Sequence, residues 1–563
     1  MLAAADTYVV VLALTDMMAG VGLGIESLQR ATPIISGFLL GYIAALPLIG
    51  RLADLLGHSR VLLGCLVIFV AGSVVTALAV ELPVLVAGRF IQGVGGGGLV
   101  PATLAIVAAL WPAERRGAPL GVVGAVQEMG AVLGPVLGAA ILAVSGWRTI
   151  FWFNAAAGAC LYAVVWALSR PAPSRPAPSR GSPIARAAAA ALALLAATLG
   201  LLTLWAPDRL VADVTLGIPF VSFTGGSRVL TPIGAATVVA LLALLAVTAR
   251  RWMPALLHAD LLGASLIAVA LGSLVLTFSS SDPEKEVVGP LGFALLPVGA
   301  VALLLFAWRH RVAANPLVPR GVLRGRSAVA FLVSLLAGAA LVSVIVDVPI
   351  LARLTLTDSQ TTAAFVLVRF LVAVPLGALL GGWALRLLGE GVVAAVGLAV
   401  AGAGLLVMSG WGKGSLASAS SATLLLVAVG VGLGLSLAPV NAAALADSPD
   451  NAHGVASALV VVARMVGMVV GLALLTAVGL RRYYETVERL PDQGDTRALL
   501  DAALVQVQTV FLGGAVAALL GAAASLAMGL RRRGGSRAGH LAEGRVLDPD
   551  GVAPSGTAPR TSA

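Results

Sequence analysis

Sixteen apolar runs of about twenty residues constrain this chain more than any other feature of its sequence. A helix needs roughly 20 mainly apolar residues to cross the ~30 Å hydrocarbon core of a bilayer. The runs lie near residues 2–23, 33–50, 61–80, 84–110, 119–143, 150–168, 187–206, 230–249, 260–278, 289–308, 328–350, 362–388, 391–410, 420–446, 453–480 and 506–530. We therefore predict an all-α polytopic membrane protein with about 16 transmembrane helices.

The composition of the 563 residues agrees with this prediction, since 59% are hydrophobic and 11% are charged. Mean hydropathy is +1.01, which is typical of polytopic membrane proteins. The formal charge of +10 includes only two lysines, Lys285 and Lys413, and the arginines lie mainly between apolar runs. We therefore predict no nucleic-acid partner. Two cysteines and five histidines show no ligand spacing, so we predict neither a metal site nor a cofactor.

The arginines indicate the orientation of the chain in the membrane. The arginine-rich segments between and after the runs all lie on the same face of the membrane as the N-terminus. These segments are 51–60, 115–116, 170–186, 250–251, 309–326 and 531–537. By the positive-inside rule this face is cytoplasmic. An even number of spans places both termini there. We predict a multi-pass protein of the bacterial plasma membrane.

The Pro/Ser-rich, basic stretch 170–185 predicts a flexible linker between two helical bundles. Residues 214–230 predict either a small hairpin on the outer face or an irregular loop. We predict an N-terminal six-helix bundle in 1–169, a linker region with four additional spans in 170–327, a C-terminal six-helix bundle in 328–531 and a disordered cytoplasmic tail in 532–563.

The last two helices are predicted to extend beyond the outer face. No proline intervenes between Ala452 and Leu490, so at ~1.5 Å per residue one helix could reach nearly 60 Å. The next helix begins near Thr496, after a turn at Pro491 and Gly494. Such a hairpin would shield a hydrophobic substrate as it leaves. The alternative is a solvated loop with partial helix.

An acidic residue within the stretch from Gly121 to Ala139 indicates chemistry inside the membrane. Ionising a lone carboxylate at the bilayer centre costs at least ~2.5 to 3.5 kcal/mol, so Glu128 is a candidate proton carrier, with Gln127 beside it. The stretch also carries small residues, mostly at helical spacing, and one proline: Gly121, Gly130, Gly134, Gly138 and Pro135. The alternative interpretation is tight helix packing alone.

The turn after the second run, GRLADLLGHSR at residues 50–60, mixes charges of both signs. Asp54 lies between Arg51 and Arg60, and we predict a charge network whose making and breaking distinguishes two conformations. The glycine run GVGGGG at residues 93–98 could be mistaken for a phosphate loop. No lysine follows it, so close helix packing is the better interpretation.

Further polar residues lie within apolar runs. Arg89 and Gln92 are one helical turn apart, and a buried arginine needs a carboxylate or carbonyl partner whose proton affinity it then tunes. Asp347, Arg369 and Arg464 occupy the C-terminal half. We assign these five residues and Gln127 to proton tuning or to a substrate cavity. The arginines could instead snorkel or satisfy a backbone carbonyl.

These motifs resemble those of the major facilitator superfamily. GRLADLLGHSR resembles its cytoplasmic motif A, and Arg89-Phe90-Ile91-Gln92-Gly93 matches its RxxQG motif. The glycines from Gly121 to Gly138 match the antiporter motif. Trp147-Arg148, Phe151 and Asn154 are a further match, to the branch of drug:H+ antiporters with fourteen spans. The resemblance implies the major facilitator fold, with two six-helix bundles plus extra linker spans.

A closer resemblance is to the mycobacterial triacylglycerol exporters, which work beside a lipid-binding lipoprotein. It lies in segments 6–10, 127–128, 346–348 and 461–465. The resemblance implies that Asp6 and Glu128 are the proton-coupling acids. It also implies export to the outer face driven by the proton gradient, with membrane lipid, a hydrophobic or lipid substrate and an outer-face lipid-binding lipoprotein as partners.

Other functions stay open at this point. A multidrug:H+ antiporter has the same motifs, whereas a membrane enzyme acting on lipid or cell-wall precursors needs clustered His and Asp that this sequence lacks. A non-transporting scaffold would not need Glu128. Two features depart from the branch: four linker spans replace two, with 187–249 as an extra helical pair, and only five residues precede Asp6. The second feature leads us to expect a start upstream of Met1.

Overall fold

The computed structural model describes residues 2–23, 28–112, 115–169, 183–211, 213, 215, 217–223, 227–279, 290–356, 360–417, 419–491 and 495–529. Each of the sixteen apolar runs overlaps a helix of at least 19 residues, and no strand occurs within these described ranges. The predicted all-α fold is therefore confirmed.

The helices of the first bundle are α1 (Leu2–Gly20), α2 (Leu28–Leu56), α3 (His58–Leu78), α4 (Leu82–Leu110), α5 (Gly117–Val144) and α6 (Arg148–Leu168). The linker region contains α7 (Pro183–Trp205), the short α8 (Asp208–Val211), α9 (Pro232–His258), α10 (Leu261–Ser279) and α11 (Pro290–Val312). The second bundle contains α12 (Gly325–Thr355), α13 (Gln360–Ala384), α14 (Glu390–Met408), α15 (Ala419–Ala446), α16 (His453–Val487) and α17 (Thr496–Ser525).

Fourteen of these helices are long and apolar enough to cross a membrane, by length and composition. A fifteenth span arises if the segments Trp252–His258 and Leu261–Thr277, which are bent by 70° relative to each other, count as one. The first helix, α1, is not among them. The count of spans is thus slightly below the predicted sixteen, although every apolar run is helical.

The long helices associate as two bundles with a linker group. In the first bundle α4 packs on α2 and α3, α3 packs on α6, and α1 packs on α5. In the second bundle α12 packs on α16 and α17, α14 packs on α15 and α17, and α13 packs on α15. The bundles meet along two main seams, α5 against α13 and α2 against α16. In the linker group α7 packs on α9 and α10 on α11.

The glycine run on α4 is a packing surface, as predicted. A Cβ atom at Gly95 would lie 2.7 Å from the carbonyl oxygen of Cys65 on α3, and one at Gly97 would lie 2.5 Å from the carbonyl oxygen of Tyr42 on α2. Helix backbones can approach this closely only where side chains are absent. The run therefore lets α4 insert between α2 and α3.

The predicted long helix near the C-terminus is confirmed. Helix α16 has 35 residues, which at ~1.5 Å per residue is about 52 Å, well beyond a ~30 Å hydrocarbon core. Helix α17 begins at Thr496, as expected, and packs on α16. The predicted turn at Gly494, most of the linker 170–185 and the tail 532–563 lie outside the described residues.

The segment that was predicted as a hairpin or a loop, 214–230, contains a short 3-10 turn at Ile218–Phe220. The amide of Phe223 donates to the carbonyl oxygen of Leu230 at 2.8 Å, which joins the two sides of a reversal. Gly225 and Gly226 lie outside the described residues. The described part of this segment contains no strand.

Candidate functional site

Asp6 on α1 is the centre of a polar network inside the first bundle, and its side chain is completely buried. Its Oδ2 accepts a hydrogen bond from Nη1 of Arg89 on α4. Its Oδ1 accepts from Nε2 of Gln92 at 3.0 Å and from Nδ2 of Asn154 on α6 at 2.5 Å. Both carboxylate oxygens therefore have donors, which is the condition for tolerating an ionised acid within the membrane.

Arg89 connects this network to the other helices of the bundle. Its Nη1 donates to Gln92 Oε1 at 2.6 Å, and its Nε donates to the carbonyl oxygen of Ile34 on α2 at 3.4 Å. The guanidinium also lies 4.4 Å from the centre of the Phe38 ring, a cation–π contact. Gln92 Nε2 donates to Ser73 Oγ on α3 at 3.0 Å. The network thus ties together α1, α2, α3, α4 and α6.

Glu128 forms the second charged site, which crosses the seam between the bundles. Its Oε1 accepts from Nη1 of Arg464 at 2.8 Å, and the two side chains are only 13% and 9% exposed. Glu128 lies on α5 and Arg464 on α16, so the pair joins one bundle to the other. An ion pair with little water around it contributes to holding its two helices together.

A small cavity lies beside this ion pair. It has a volume of about 20 Å³ and is lined by residues of both bundles, among them Gln127, Ser334, Asn441 and Arg464. This volume admits about one water molecule. The bundles are therefore closed around this cavity, and a larger molecule could occupy it only after they separate.

One end of the seam is held by Asp54, whose side chain is 1% exposed. Its carboxylate accepts from the amides of Gly454 at 2.7 Å and Val455 at 3.1 Å. These amides belong to the first turn of α16, where unpaired N–H groups and the helix dipole favour a negative charge. Asp54 of the first bundle thus caps a helix of the second. We call this region the Asp54 end.

The predicted partners of Asp54 are arranged differently from the expectation. His58 Nε2 lies 3.4 Å from Asp54 Oδ1, whereas Nη1 of Arg60 donates to the carbonyl oxygen of Leu56 at 3.4 Å. Nε of Arg51 has no hydrogen-bond partner among the described residues. The physical reason is that the α16 terminus offers two preorganised donors to Asp54, while the exposed side chain of Arg60 can reach water.

We expect Asp54→Ala to loosen the Asp54 end. Loss of a cap costs about 0.5–2 kcal/mol, which would raise the open population several-fold to about thirtyfold. The measurement is the maleimide labelling rate of Ala456→Cys, a fully buried position, in a background lacking Cys65 and Cys160. Arg60→Ala is the control and should not change the rate. Equal rates in Asp54→Ala and the parent would contradict the capping role.

The glycines of the predicted antiporter motif let α5 pack closely on α13 of the second bundle and on α1 of its own bundle. A Cβ atom at Gly121 would lie 2.8 Å from the carbonyl oxygen of Ala378 on α13, and one at Gly134 would lie 2.6 Å from the carbonyl oxygen of Ala5 on α1. A Cβ atom at Gly138 would lie 3.1 Å from Cγ1 of Val9. Gly130 is buried, and the backbone stays helical through Pro135. The helix that carries Glu128 therefore touches the residue next to Asp6.

We expect Gly121→Val to hinder closure of the α5–α13 seam, because its branched side chain would overlap backbone atoms of α13. Overpacking of this kind typically costs ~1–3 kcal/mol. The labelling rate of Ala456→Cys should rise and transport should fall. Gly64→Val is the matched control, since a Cβ atom at Gly64 has open space within 4 Å. If Ala456→Cys is labelled in Gly121→Val at the same rate as in the parent, the seam tolerates the larger side chain.

The remaining predicted site residues lie within the second bundle. Nη1 of Arg369 on α13 donates to Oγ1 of Thr423 on α15 at 3.0 Å. Asp347 on α12 is 2% exposed, and its Oδ2 has no hydrogen-bond partner among the described residues. The structure thus places Gln127 and Glu128 close to Arg464, and it places Asp6 in contact with Arg89 and Gln92. It places Arg369 and Asp347 elsewhere.

Sequence reasoning missed several contacts. Asn154 and Ser73 were not assigned to the Asp6 network, and Asp54 was not matched to α16. A further cluster surrounds Asp260, which accepts from Arg309 Nε at 3.0 Å and from the amide of Leu317 at 3.2 Å. The sequence signals for this cluster are the segments DLLG at 260–263 and NPLV at 315–318, which resemble the boundaries of the usual pair of linker spans but do not show that the two segments meet.

Two helical bundles that meet at a small polar centre have the architecture of a secondary transporter. The family model described as "Major Facilitator Superfamily" matches residues 1–308. A protein named triacylglyceride transporter from Mycobacteroides abscessus is 34% identical over 500 residues, which are 87% of this chain and 82% of that protein. One from Mycolicibacterium smegmatis is 32% identical over 549 residues, 93% and 84% of the two chains.

The chain belongs to the Major Facilitator Superfamily, a family of transporters rather than enzymes. The predicted family and the resemblance to mycobacterial triacylglyceride transporters are confirmed. The crystal structure of the human organic anion transporter MFSD10 shares the fold, with a TM-score of 0.50 at 16% identity over 93% of this chain and 96% of that one.

Proposed function

We propose that this protein is a proton-coupled exporter of hydrophobic molecules, with lipids such as triacylglycerol as the preferred class. The Asp54 end would be cytoplasmic, with both termini on that side of a bacterial plasma membrane. The observation that carries the proposal is the ion pair between Glu128 and Arg464, because it joins a titratable group to the seam that must open. The names of the mycobacterial relatives support the substrate class.

Proton binding at Glu128 would weaken this seam. A neutral Glu128 no longer attracts Arg464 electrostatically, and disrupting one partner of a buried pair typically costs ~3–5 kcal/mol. A full change of a two-state population from 1:99 to 99:1 takes ~5.5 kcal/mol, so ~3–5 kcal/mol changes the population ratio by roughly two to three and a half orders of magnitude. The protonation state of one carboxyl can therefore decide whether the bundles stay closed around the cavity.

Asp6 would be the second proton-coupling acid. Its neutralisation leaves Arg89 with Gln92 Oε1 and the Ile34 carbonyl as remaining partners, so the network must rearrange. The contact of Gly134 with Ala5 provides a mechanical route between the acids, because a shift of α5 displaces the α1 backbone next to Asp6. Coupling two acids through one packed contact makes their protonation states interdependent.

The substrate is assigned to the hydrophobic class because the cavity between the bundles has a single charged residue, Arg464, in a lining that is more than half apolar. The extension of α16 and α17 beyond a ~30 Å core would shield such a substrate from water at the outer face. A lipid-binding lipoprotein is the proposed partner that accepts the substrate there. No cofactor is required if the proton gradient supplies the energy.

The test is transfer of a fluorescent triacylglycerol from proteoliposomes to acceptor particles, with ethidium efflux measured in parallel. Under an imposed proton gradient we expect lipid transfer well above that of protein-free vesicles. Ethidium movement without lipid movement would make the protein a multidrug:H+ antiporter. Movement of neither compound would leave the substrate proposal without support, and equal lipid transfer without a gradient would contradict proton coupling.

A further inference from the structure

Asp347 differs from the other buried acids in having an oxygen without a hydrogen-bond partner. Its side chain is 2% exposed, and Oδ2 has no partner among the described residues. Val344, Val348 and Leu351 on the same helix are fully buried in the apolar core of the second bundle. Asp6 is equally buried but has three donors from two helices. The surroundings of Asp347 do not compensate a negative charge.

The helices packed against α12 supply no cation for Asp347 in the described part of the chain. On α13, Arg369 donates to Thr423, and on α16, Arg464 pairs with Glu128. Arg481 on α16 and Asp501 on α17 are 81% and 62% exposed and pair with Glu485 and with Lys413 of the loop between α14 and α15. Helix α15 carries no ionisable side chain, and Arg353 on α12 itself is exposed.

An isolated carboxylate in such a site is costly, whereas a neutral carboxylic acid is not. The ionised form needs either a counter-charge or several donors, and at least one oxygen of Asp347 has neither. Binding one proton converts the carboxylate to a carboxylic acid and removes the charge. In the closed conformation the neutral form is therefore the one that this environment favours.

The position of Asp347 along α12 indicates from which side the proton comes. Helix α12 starts at the Asp54 end, where the amide of Arg326 donates to Asp447 Oδ2 at 3.2 Å. Asp347 lies eight residues from the opposite end, Thr355, or about 12 Å at ~1.5 Å per residue. The other end of α12, Gly325, is 22 residues away, or about 33 Å, so Asp347 lies much nearer to the end of α12 that is opposite the Asp54 end.

We propose that Asp347 is a proton-loading site of the second bundle, which takes a proton from the outer side and holds it as a neutral acid in the closed conformation. The direction of loading depends on the proposed export function. The inference that Asp347 binds a proton does not depend on that function. The site would add a titrating group, located within the second bundle, to the Glu128 and Asp6 sites.

The first measurement is the infrared spectrum of purified wild-type protein and Asp347→Asn at neutral pH. The asparagine variant has nearly the same shape without a titratable proton, so it should fold. We expect a carbonyl stretching band of a protonated carboxylic acid in the wild type that is missing in the variant. Spectra without this difference would overturn the proposal. This readout needs no substrate, so it is independent of whether lipid is exported.

The second measurement is proton-driven transport of whichever compound the wild type moves, triacylglycerol or ethidium. We expect Asp347→Asn to lose at least tenfold in rate, and Asp347→Glu to keep a measurable part. Ser343→Ala, one turn away on the same helix, removes a hydroxyl bonded to the Ala340 carbonyl and is the control with near-normal rate. A wild-type rate in Asp347→Asn would overturn the loading role even if the infrared band is present.

Discussion

Replacement of Glu128 by glutamine is expected to reduce proton-driven export at least a hundredfold, with the protein still folded and inserted. Glutamine keeps the shape of the side chain but cannot bind and release a proton or attract Arg464 as an anion. Leaving Arg464 without its anionic partner costs ~3–5 kcal/mol, so the variant loses the pH-dependent preference for the closed seam. The measurement is the initial rate of export in proteoliposomes under a fixed proton gradient, normalised to inserted protein.

The matched control for this variant is Glu485→Gln, on the part of α16 that is distant from the Asp54 end. Glu485 pairs with Arg481 at 2.9 Å, but the arginine is 81% exposed, so water screens the pair. Exposed pairs contribute little. The control should therefore keep a normal export rate. Full export by Glu128→Gln would remove Glu128 from the coupling mechanism and with it the main argument for proton-driven transport.

The second large effect is expected for Asp6→Asn, which leaves the guanidinium of Arg89 buried without its carboxylate partner. Arg89 is 1% exposed, so water cannot replace the lost charge. We expect a loss of ~3–5 kcal/mol in stability, seen as a lower midpoint of thermal aggregation in detergent, together with loss of export. The double variant Asp6→Asn with Arg89→Gln should recover much of the stability but none of the export.

Ser73→Ala separates the charge effect from an ordinary hydrogen bond in the same network. Ser73 accepts only from Gln92 among the network residues, at 3.0 Å, so its loss should cost about 1 kcal/mol and leave export measurable. An unchanged midpoint in Asp6→Asn would show that Arg89 does not depend on Asp6. Export by the double variant would show that Asp6 holds the bundle together without carrying protons.

The helical architecture could be predicted from sequence because long apolar runs in a membrane allow few folds. The absence of proline between 452 and 490 was enough to predict the single helix α16. Arg89 was predicted to need a carboxylate or carbonyl, and the structure supplies both in Asp6 and Ile34. Local rules therefore gave the helices and the type of partner that a buried charge requires.

Contacts between distant residues could not be predicted in the same way. The cap that Asp54 forms on α16 joins positions about 400 residues apart, and nothing in the local sequence specifies which helix terminus lies opposite. The bend between α9 and α10 was also missed. It occurs at Asp260, whose φ of 52° is unusual for a residue other than glycine, and whose carboxylate is held by Arg309. These features depend on how the helices associate.

The central claim is that protonation of Glu128 controls opening of the bundles, and a distance measurement across the Asp54 end tests it most directly. Spin labels would be placed at Leu110→Cys, the last residue of α4, and at Leu387→Cys after α13, both highly exposed, in nanodiscs and without Cys65 and Cys160. We predict that acidification increases the population with a longer distance, and that Glu128→Gln shows this population at every pH. The same distance distribution at all pH values in the wild type would contradict the claim.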